Sequence, residues 1–164
     1  MTIDDIKIRH DLRPGDMGYV IHRVGKLVDQ ENNYGVLFEA YVAGGLVEFY
    51  QNYDPKKDRV WVCEHDGRIV GFLLLVHREN NAAQLKNFYL EPEFRGIGLG
   101  KKLMNQFISV LKANGYTSSY LWTTNEQGTA TALYIRHGYV LTEEKQSGAF
   151  GRPVVEQKFE LRLT

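Results

Sequence analysis

Arg95, Gly96, Gly98 and Gly100, followed by Lys101 and Lys102, are the residues of this 164-residue chain whose spacing has the plainest chemical use. Glycines at alternate positions let the backbone turn freely and keep side chains out of the way of a ligand. From Leu99 onward, Leu103, Met104, Phe107, Ile108 and Leu111 recur at helical spacing. The spacing predicts a helix that begins inside the glycine run and stops near Asn114-Gly115. A helix N-terminus offers unpaired N–H groups and the positive end of its dipole. The stretch therefore reads as an anion cradle, most simply for a pyrophosphate. The same glycines would also serve a plain strand-to-helix turn.

Two familiar cradles do not match. A Walker P-loop needs Ser or Thr after its Gly-Lys pair, and here Gly100-Lys101 is followed by Lys102. The dinucleotide fingerprint G-x-G-x-x-G also fails, because the spacing is G-x-G-x-G. The pattern that fits is R-x-x-G-x-G, read as Arg95, Gly98 and Gly100 after the run FYLEPEF. With it the chain resembles the GNAT superfamily of N-acetyltransferases.

That resemblance implies an acetyl-CoA-dependent N-acetyltransferase that needs no metal, transferring directly to a primary amine of a small molecule or a protein. It implies that the backbone from Arg95 through Gly96, Ile97, Gly98, Leu99, Gly100 and Lys101 grips the pyrophosphate. It also places cofactor contacts on the strand residues Phe88, Tyr89 and Leu90. In the motif A-x-x-L-Y-x-x-x-G-[FY], here Ala130, Leu133, Tyr134, Gly138 and Tyr139, the tyrosine can protonate the departing thiolate. Tyr134 is the catalytic candidate on that basis; without the motif it reads as a packing aromatic on an amphipathic helix. The family often has asparagine seven residues before this tyrosine, where this chain has Gln127, so a cofactor contact falls on Asn125 two places earlier. The stretches PGDMGYVIHRVGKL and LWTTNEQGTATALYIRHGYVLTEE further resemble the acetyltransferase half of proteins that fuse a MarR-type regulator to a GNAT domain.

A general base is less evident. Family members that use a carboxylate often carry it early on the fourth strand, where this chain has Gln84. His22, Glu79, Glu91 and Glu93 are alternatives by proximity in the chain, and each also reads as a solvated surface residue. The acceptor is expected over the first two helices, where His22, Tyr34, Phe38 and Tyr41 form an aromatic, modestly polar set that core packing would equally explain. No dense acidic cluster there favours a polyamine. A non-catalytic acyl-CoA sensor or partner-binding module keeps the same cradle and stays open as the alternative.

The elements that would position these residues can be read in order. Ile6 and Ile8 alternate with Lys7 and Arg9 in a first strand. Arg13-Pro14-Gly15-Asp16 opens a helix whose Met17, Val20, Ile21, Val24, Leu27 and Val28 follow the 3.6 period, before a polar DQENNYG segment. A second helix runs from about Val36 to Tyr50 and is expected to bend or break at Gly44-Gly45. Arg59 to His65 and Arg68 to His77 form a hairpin around Asp66-Gly67, its second strand apolar on both faces. A strand over Leu85 to Leu90, the helix of the cradle, a strand over Ser118 to Thr123 and a short helix over Gly128 to His137 follow. Tyr139 to Glu143 and Val154 to Leu163 close the chain as strands, joined by a loop QSGAFGRP that is flexible by composition. This mixed α/β order, strand, two helices, three strands, helix, strand, helix, two strands, is that of the GNAT fold.

Composition narrows the class. A length of 164 residues suits a single domain, which the resemblance makes a GNAT acetyltransferase domain over 1–164, and 43% hydrophobic with 24% charged residues is ordinary for a globular protein. Twenty basic residues balance twenty acidic ones, which gives no net case for nucleic acid or an anionic membrane as partner. No apolar run approaches the roughly 20 residues that span a bilayer, and MTIDDIKIRHD has no signal-peptide pattern, so a cytoplasmic location is expected. The single Cys63 excludes an internal disulfide and reads as a buried structural thiol. A homodimer is compatible with the resemblance.

Overall fold

The computed structural model describes all 164 residues. Its strands are β1 (Lys7–Arg9), β2 (Arg59–His65), β3 (Arg68–His77), β4 (Ala82–Leu90), β5 (Ser118–Thr124), β6 (Val140–Ser147) and β7 (Val154–Arg162). Its helices are α1 (Asp16–Asn32), α2 (Gly35–Gln51), α3 (Leu99–Ala113) and α4 (Gly128–Arg136). The seven strands make one sheet in the order β1-β2-β3-β4-β5-β7-β6. Only β4 and β5 are parallel, and they pair over three positions, Ala82 with Ser118 through Gln84 with Tyr120. Beyond Tyr120 the two strands separate, and the gap between them is the central feature of the molecule. No helix is long and apolar enough to cross a membrane.

Each face of the sheet carries its own core. On one face Trp61, Leu73, Leu75, Leu85 and Leu121 pack against Leu103, Met104 and Phe107 of α3 and Tyr134 of α4. On the other, Val62, Phe72 and Leu74 pack against Val20 and Val24 of α1 and Leu46 and Phe49 of α2. Strand β3 serves both cores, and from Ile69 to Val76 every one of its residues is buried. The hairpin into it turns on Asp66 and Gly67, with φ of 50° and 75°, the paired positive angles that suit the twist of a two-residue turn. Cys63 is fully buried, and burial pushes its thiol up to about 12, so it packs as a small apolar residue.

Strand β4 changes sides part-way along. Its register against β3 slips between Phe72 and Leu74, so that Asn87 and Phe88 together oppose Leu73, and Asn87 takes a left-handed φ of 55°. Side chains alternate along a strand, so one extra residue reverses which parity faces which core. Before the bulge Ala83 and Leu85 face α3; after it Phe88 and Leu90 do, while Tyr89 joins the core under α1 and α2.

Four local expectations are corrected. The polar DQEN stretch is the last turn of α1, which ends at Asn33 in the left-handed region, where the Gly35 amide donates to Asp29 Oδ1. Helix α2 runs unbroken through Gly44-Gly45, because packing of Val42, Leu46 and Phe49 outweighs the cost of two glycines. Strand β6 continues to Ser147, carried by its pairing with β7 through Val154. The loop QSGAFGRP is anchored, since Phe150 is buried, stacks on Tyr34 at 5.3 Å between centroids and meets Phe38 edge-on at 5.0 Å.

Candidate active site

The cradle forms as an uncapped helix N-terminus. Gly98 precedes α3 with φ of 90° and supplies no side-chain cap, and Gly96 has φ of 78°; these two positions need glycine for the backbone itself. Gly100 is crowded for a different reason: a Cβ there would lie 3.2 Å from Leu133 Cδ2 of α4, which would have to give by a few tenths of an ångström. From Gly96 to Lys101 no backbone N–H donates to an acceptor within the protein, and Lys102, bonded to Gly98 O at 3.0 Å, is the first that does. Six consecutive free amides at the positive end of a 15-residue helix are suited to a polyanion.

Arg95 stands outside that row. Its amide donates to Pro92 O at 3.2 Å, and its guanidinium donates to both carboxylate oxygens of Glu31 at 2.7 and 3.1 Å and to Leu90 O at 3.1 Å. The hydrogen bonds to Glu31 hold the guanidinium's pKa above its ordinary value. In this arrangement Arg95 braces the loop against α1.

The edge of β4 points the same way. The Glu91 amide donates to Val70 O at 2.8 Å, so by alternation along the strand Tyr89 also faces β3, and the amides of Phe88 and Leu90 turn to the opposite edge. There β5 has diverged and offers no partners. Phe88, Leu90 and the free amides thus meet at one place, while Tyr89 is turned away with its ring in the α1/α2 core. The Tyr89 hydroxyl is buried without a hydrogen bond, and burial, with Glu91 nearby, pushes its pKa up.

Tyr134 lies at the same meeting point. Its ring is buried, 6.4 Å from Phe88 and 6.2 Å from Tyr139 between centroids. Burial, then the neighbouring Tyr139, raises its pKa, and no hydrogen bond within the protein engages its hydroxyl. Such a phenol keeps its proton and has it to give. Asn125 has other work: its amide donates to Val155 O at 2.9 Å and its Oδ1 accepts from the Val155 amide at 3.2 Å, fastening the end of β5 to β7.

The base candidates separate clearly. Gln84 is buried with Oε1 accepting from Arg78 Nε at 2.9 Å. Glu91, expected at the surface, is 1% exposed and takes two hydrogen bonds from Arg23 at 3.0 and 2.7 Å. The surface reading fails because Arg23 of α1 offers a fork that fits the carboxylate. Burial alone would raise that carboxyl, but the hydrogen bonds and charge of Arg23 reverse the effect and hold it below the ordinary range. Glu79 and Glu93 are exposed, as is His22 on α1.

On the α2 side of the gap, Tyr34, Phe38 and Tyr41 gather around Phe150, and the Tyr34 hydroxyl shares a 2.6 Å hydrogen bond with Thr124 Oγ1. Two residues not singled out from the sequence, Lys86 and Glu156, join them. Lys86 places its ammonium 5.4 Å from the centre of the Tyr41 ring, and a Cβ on Gly45 would lie 3.2 Å from its Nζ. Burial lowers its pKa, and it forms no ion pair. The carboxylate of Glu156 on β7 acts on Tyr41 through its charge and is likewise unpaired. A lone lysine inside the apolar strand AAQLKNFYL was the one signal available for these. No group of three or more His, Cys, Asp or Glu side chains could hold a metal ion.

Comparison with known proteins gives a family and a fold. Residues 56–141 match the sequence model of the Acetyltransferase (GNAT) domain family. The N-acetyltransferase YjgM of Escherichia coli, itself uncharacterized, is 34% identical over 97 residues, which cover 57% of this chain and 58% of that protein. The chain spans about half the length of the curated relatives it matches. A GNAT-family acetyltransferase from Staphylococcus aureus superposes with a TM-score of 0.75 at 22% identity, over 97% of this chain and 99% of that one. A GNAT-family acetyltransferase from Elizabethkingia anophelis, solved with acetyl-CoA bound, gives 0.66 at 16% identity, over 98% and 99%.

Proposed function

The chain belongs to the GNAT acetyltransferase family, and we propose that it transfers the acetyl group of acetyl-CoA directly to a primary amine. The observation that carries this reading is the row of free amides from Gly96 to Lys101 beside the unpaired edge of β4. The amides would take the pyrophosphate. The Phe88 and Leu90 amides would align the arm that bears the thioester and stabilise the oxyanion. The amine nitrogen attacks the carbonyl carbon, the N–C bond forms as C–S breaks, and the amine's proton leaves to solvent or to Glu156. Tyr134 gives its own proton to the thiolate. A thiolate in a poorly hydrated site is a strong enough base to accept it.

The acceptor enters from the α2 side, beside Tyr41. An unpaired ammonium on Lys86 and an unpaired carboxylate on Glu156 support an acceptor that carries both charges, an amino acid or a compound built on one. The shared sheet between the two cores supports treating residues 1–164 as one catalytic domain, and we place its activity in the cytoplasm. One observation favours the alternative of an acyl-CoA sensor: Gln84 stands where a catalytic carboxylate is common, with its oxygen already taken by Arg78.

The test is thiol release from acetyl-CoA across amino acids, their decarboxylated amines and short peptides, with calorimetry of acetyl-CoA binding on the same preparation. Turnover with an amino acid supports the reading. Binding without turnover on any acceptor moves it to the sensor, and absence of binding removes the cradle.

A further inference from the structure

Helix α2 is apolar on the side that faces water as well as on the side that faces the sheet. Its inward positions include Val42, Gly45, Leu46 and Phe49, all buried. At 100° per residue, the opposite side carries Val36, Ala40, Ala43, Val47 and Tyr50, of which Val36, Val47 and Tyr50 are 75%, 49% and 58% exposed. A helix on the surface of a monomer carries charge on that side. The only charged residues of α2 are Glu39 and Glu48, and both are turned elsewhere: Glu39 reaches toward Gly25 of α1, and Glu48 pairs with Arg78 at 2.7 Å.

The five outward residues follow one another at spacings of four, three, four and three, the spacing of a helix-packing seam. We propose that this stripe is an interface between two copies of the chain, with α2 lying antiparallel on α2 across a two-fold axis. The occupant is a second copy because the stripe is its own complement. With the axis midway between Ala40 and Ala43, Val36 meets Val47 of the partner subunit and Ala40 meets Ala43 of the partner subunit. Two alanines at the crossing, with Gly44 beside them, let the helix axes approach to about 8 Å, and the valines close the seam at either side. With Tyr50 at either end, such a contact buries on the order of 1,000 Å² in total, the lower end of what a specific dimer needs. The inner side of the same helix holds Gly45 against Lys86, so the pairing also steadies one wall of the gap.

Sedimentation equilibrium on the full chain tests this without reference to acetyl transfer. The wild type is expected to be a dimer at high micromolar concentration, and Ala40→Glu and Val47→Lys to be monomers with unchanged circular dichroism. A mixture of Val36→Cys and Val47→Cys proteins should form a disulfide under mild oxidation, and Val36→Cys alone should not, because its two copies would lie ~16 Å apart along the axis. The native Cys63 is fully buried and does not compete. A monomeric wild type, a dimer that survives both charged substitutions, or a disulfide from Val36→Cys alone would overturn the proposal.

Discussion

Gly100 leaves Leu133 just room: a single added carbon on Gly100 would stand 3.2 Å from Leu133 Cδ2, with Leu90 Cδ1 at 3.7 Å and Phe88 at 3.9 Å behind it. The third glycine of the cradle is thus where α3, α4 and β4 close on one another. Gly100→Val should push α4 away, move Tyr134 with it, and weaken acetyl-CoA binding about tenfold or more by calorimetry. Gly98→Ala acts differently, through the left-handed φ of 90°, at about 1 kcal/mol of stability and a smaller loss of affinity. If the two substitutions proved interchangeable in effect, the close-packing role of Gly100 would be wrong.

Tyr134→Phe removes a hydroxyl that the protein itself does not bind. Stability should therefore change little, while kcat falls about 100-fold and KM for acetyl-CoA holds. Retained kcat in this variant would leave the thiolate to be protonated by water.

The Arg23–Glu91 pair makes an acid-sensitive lock between α1 and the end of β4. Its carboxyl is held below the ordinary range in the folded chain, so the unfolded chain binds the proton more readily. The pair's contribution is therefore complete above the unfolded carboxyl's value near 4.5 and disappears as pH falls through the lower folded value. Arg23→Met should cost about 3 kcal/mol at neutral pH by stranding a buried carboxylate, and less in acid, where Glu91 is protonated. Urea denaturation of both proteins at pH 7 and in acid reads this directly; equal losses at both values would contradict it.

Lys86→Met should raise KM for carboxylate-bearing acceptors about tenfold and leave amines without a carboxylate unaffected. A uniform change over both classes would make Lys86 a packing residue instead.

Phe150→Ala should cost about 3 kcal/mol and free the connection between β6 and β7, because the ring is the central member of a small buried cluster with Tyr34 and Val154. Hydrogen exchange of the Gly148 to Arg152 amides, compared between the two proteins, should show the release.

Much of this architecture is written in local patterns. The Asp66-Gly67 hairpin, the doubly buried β3 and the helix after the glycines each follow from residues within a single element, and all three form where their periodicity puts them. What escaped depended on partners far away in the chain. Glu91 looks like a surface carboxylate until Arg23, 68 residues earlier, is folded against it. Phe150 sits among Ser, Gly and Pro, and its burial follows from distant partners, Tyr34, Phe38 and Tyr41 among them. Gly45 reads as a helix breaker until Lys86 of β4 is seen to need the space. The bulge at Asn87 left no mark in composition either, because Lys86 and Asn87 read as two polar residues in an otherwise apolar strand and parity alone reveals the slip.

The three residue pairs that join β4 to β5 have a mechanical meaning. Strands β1 to β4 form one leaf and β5, β7 and β6 another, stitched only at one end of the seam between them. A slender molecule lying along the open end would act as a temporary eighth strand. It would borrow its hydrogen bonds from the edge of β4 and extend the strand order across the part of the seam that β4 and β5 leave open. Occupancy of the gap would then be felt as stiffness as far away as β1 and β6, the outermost strands.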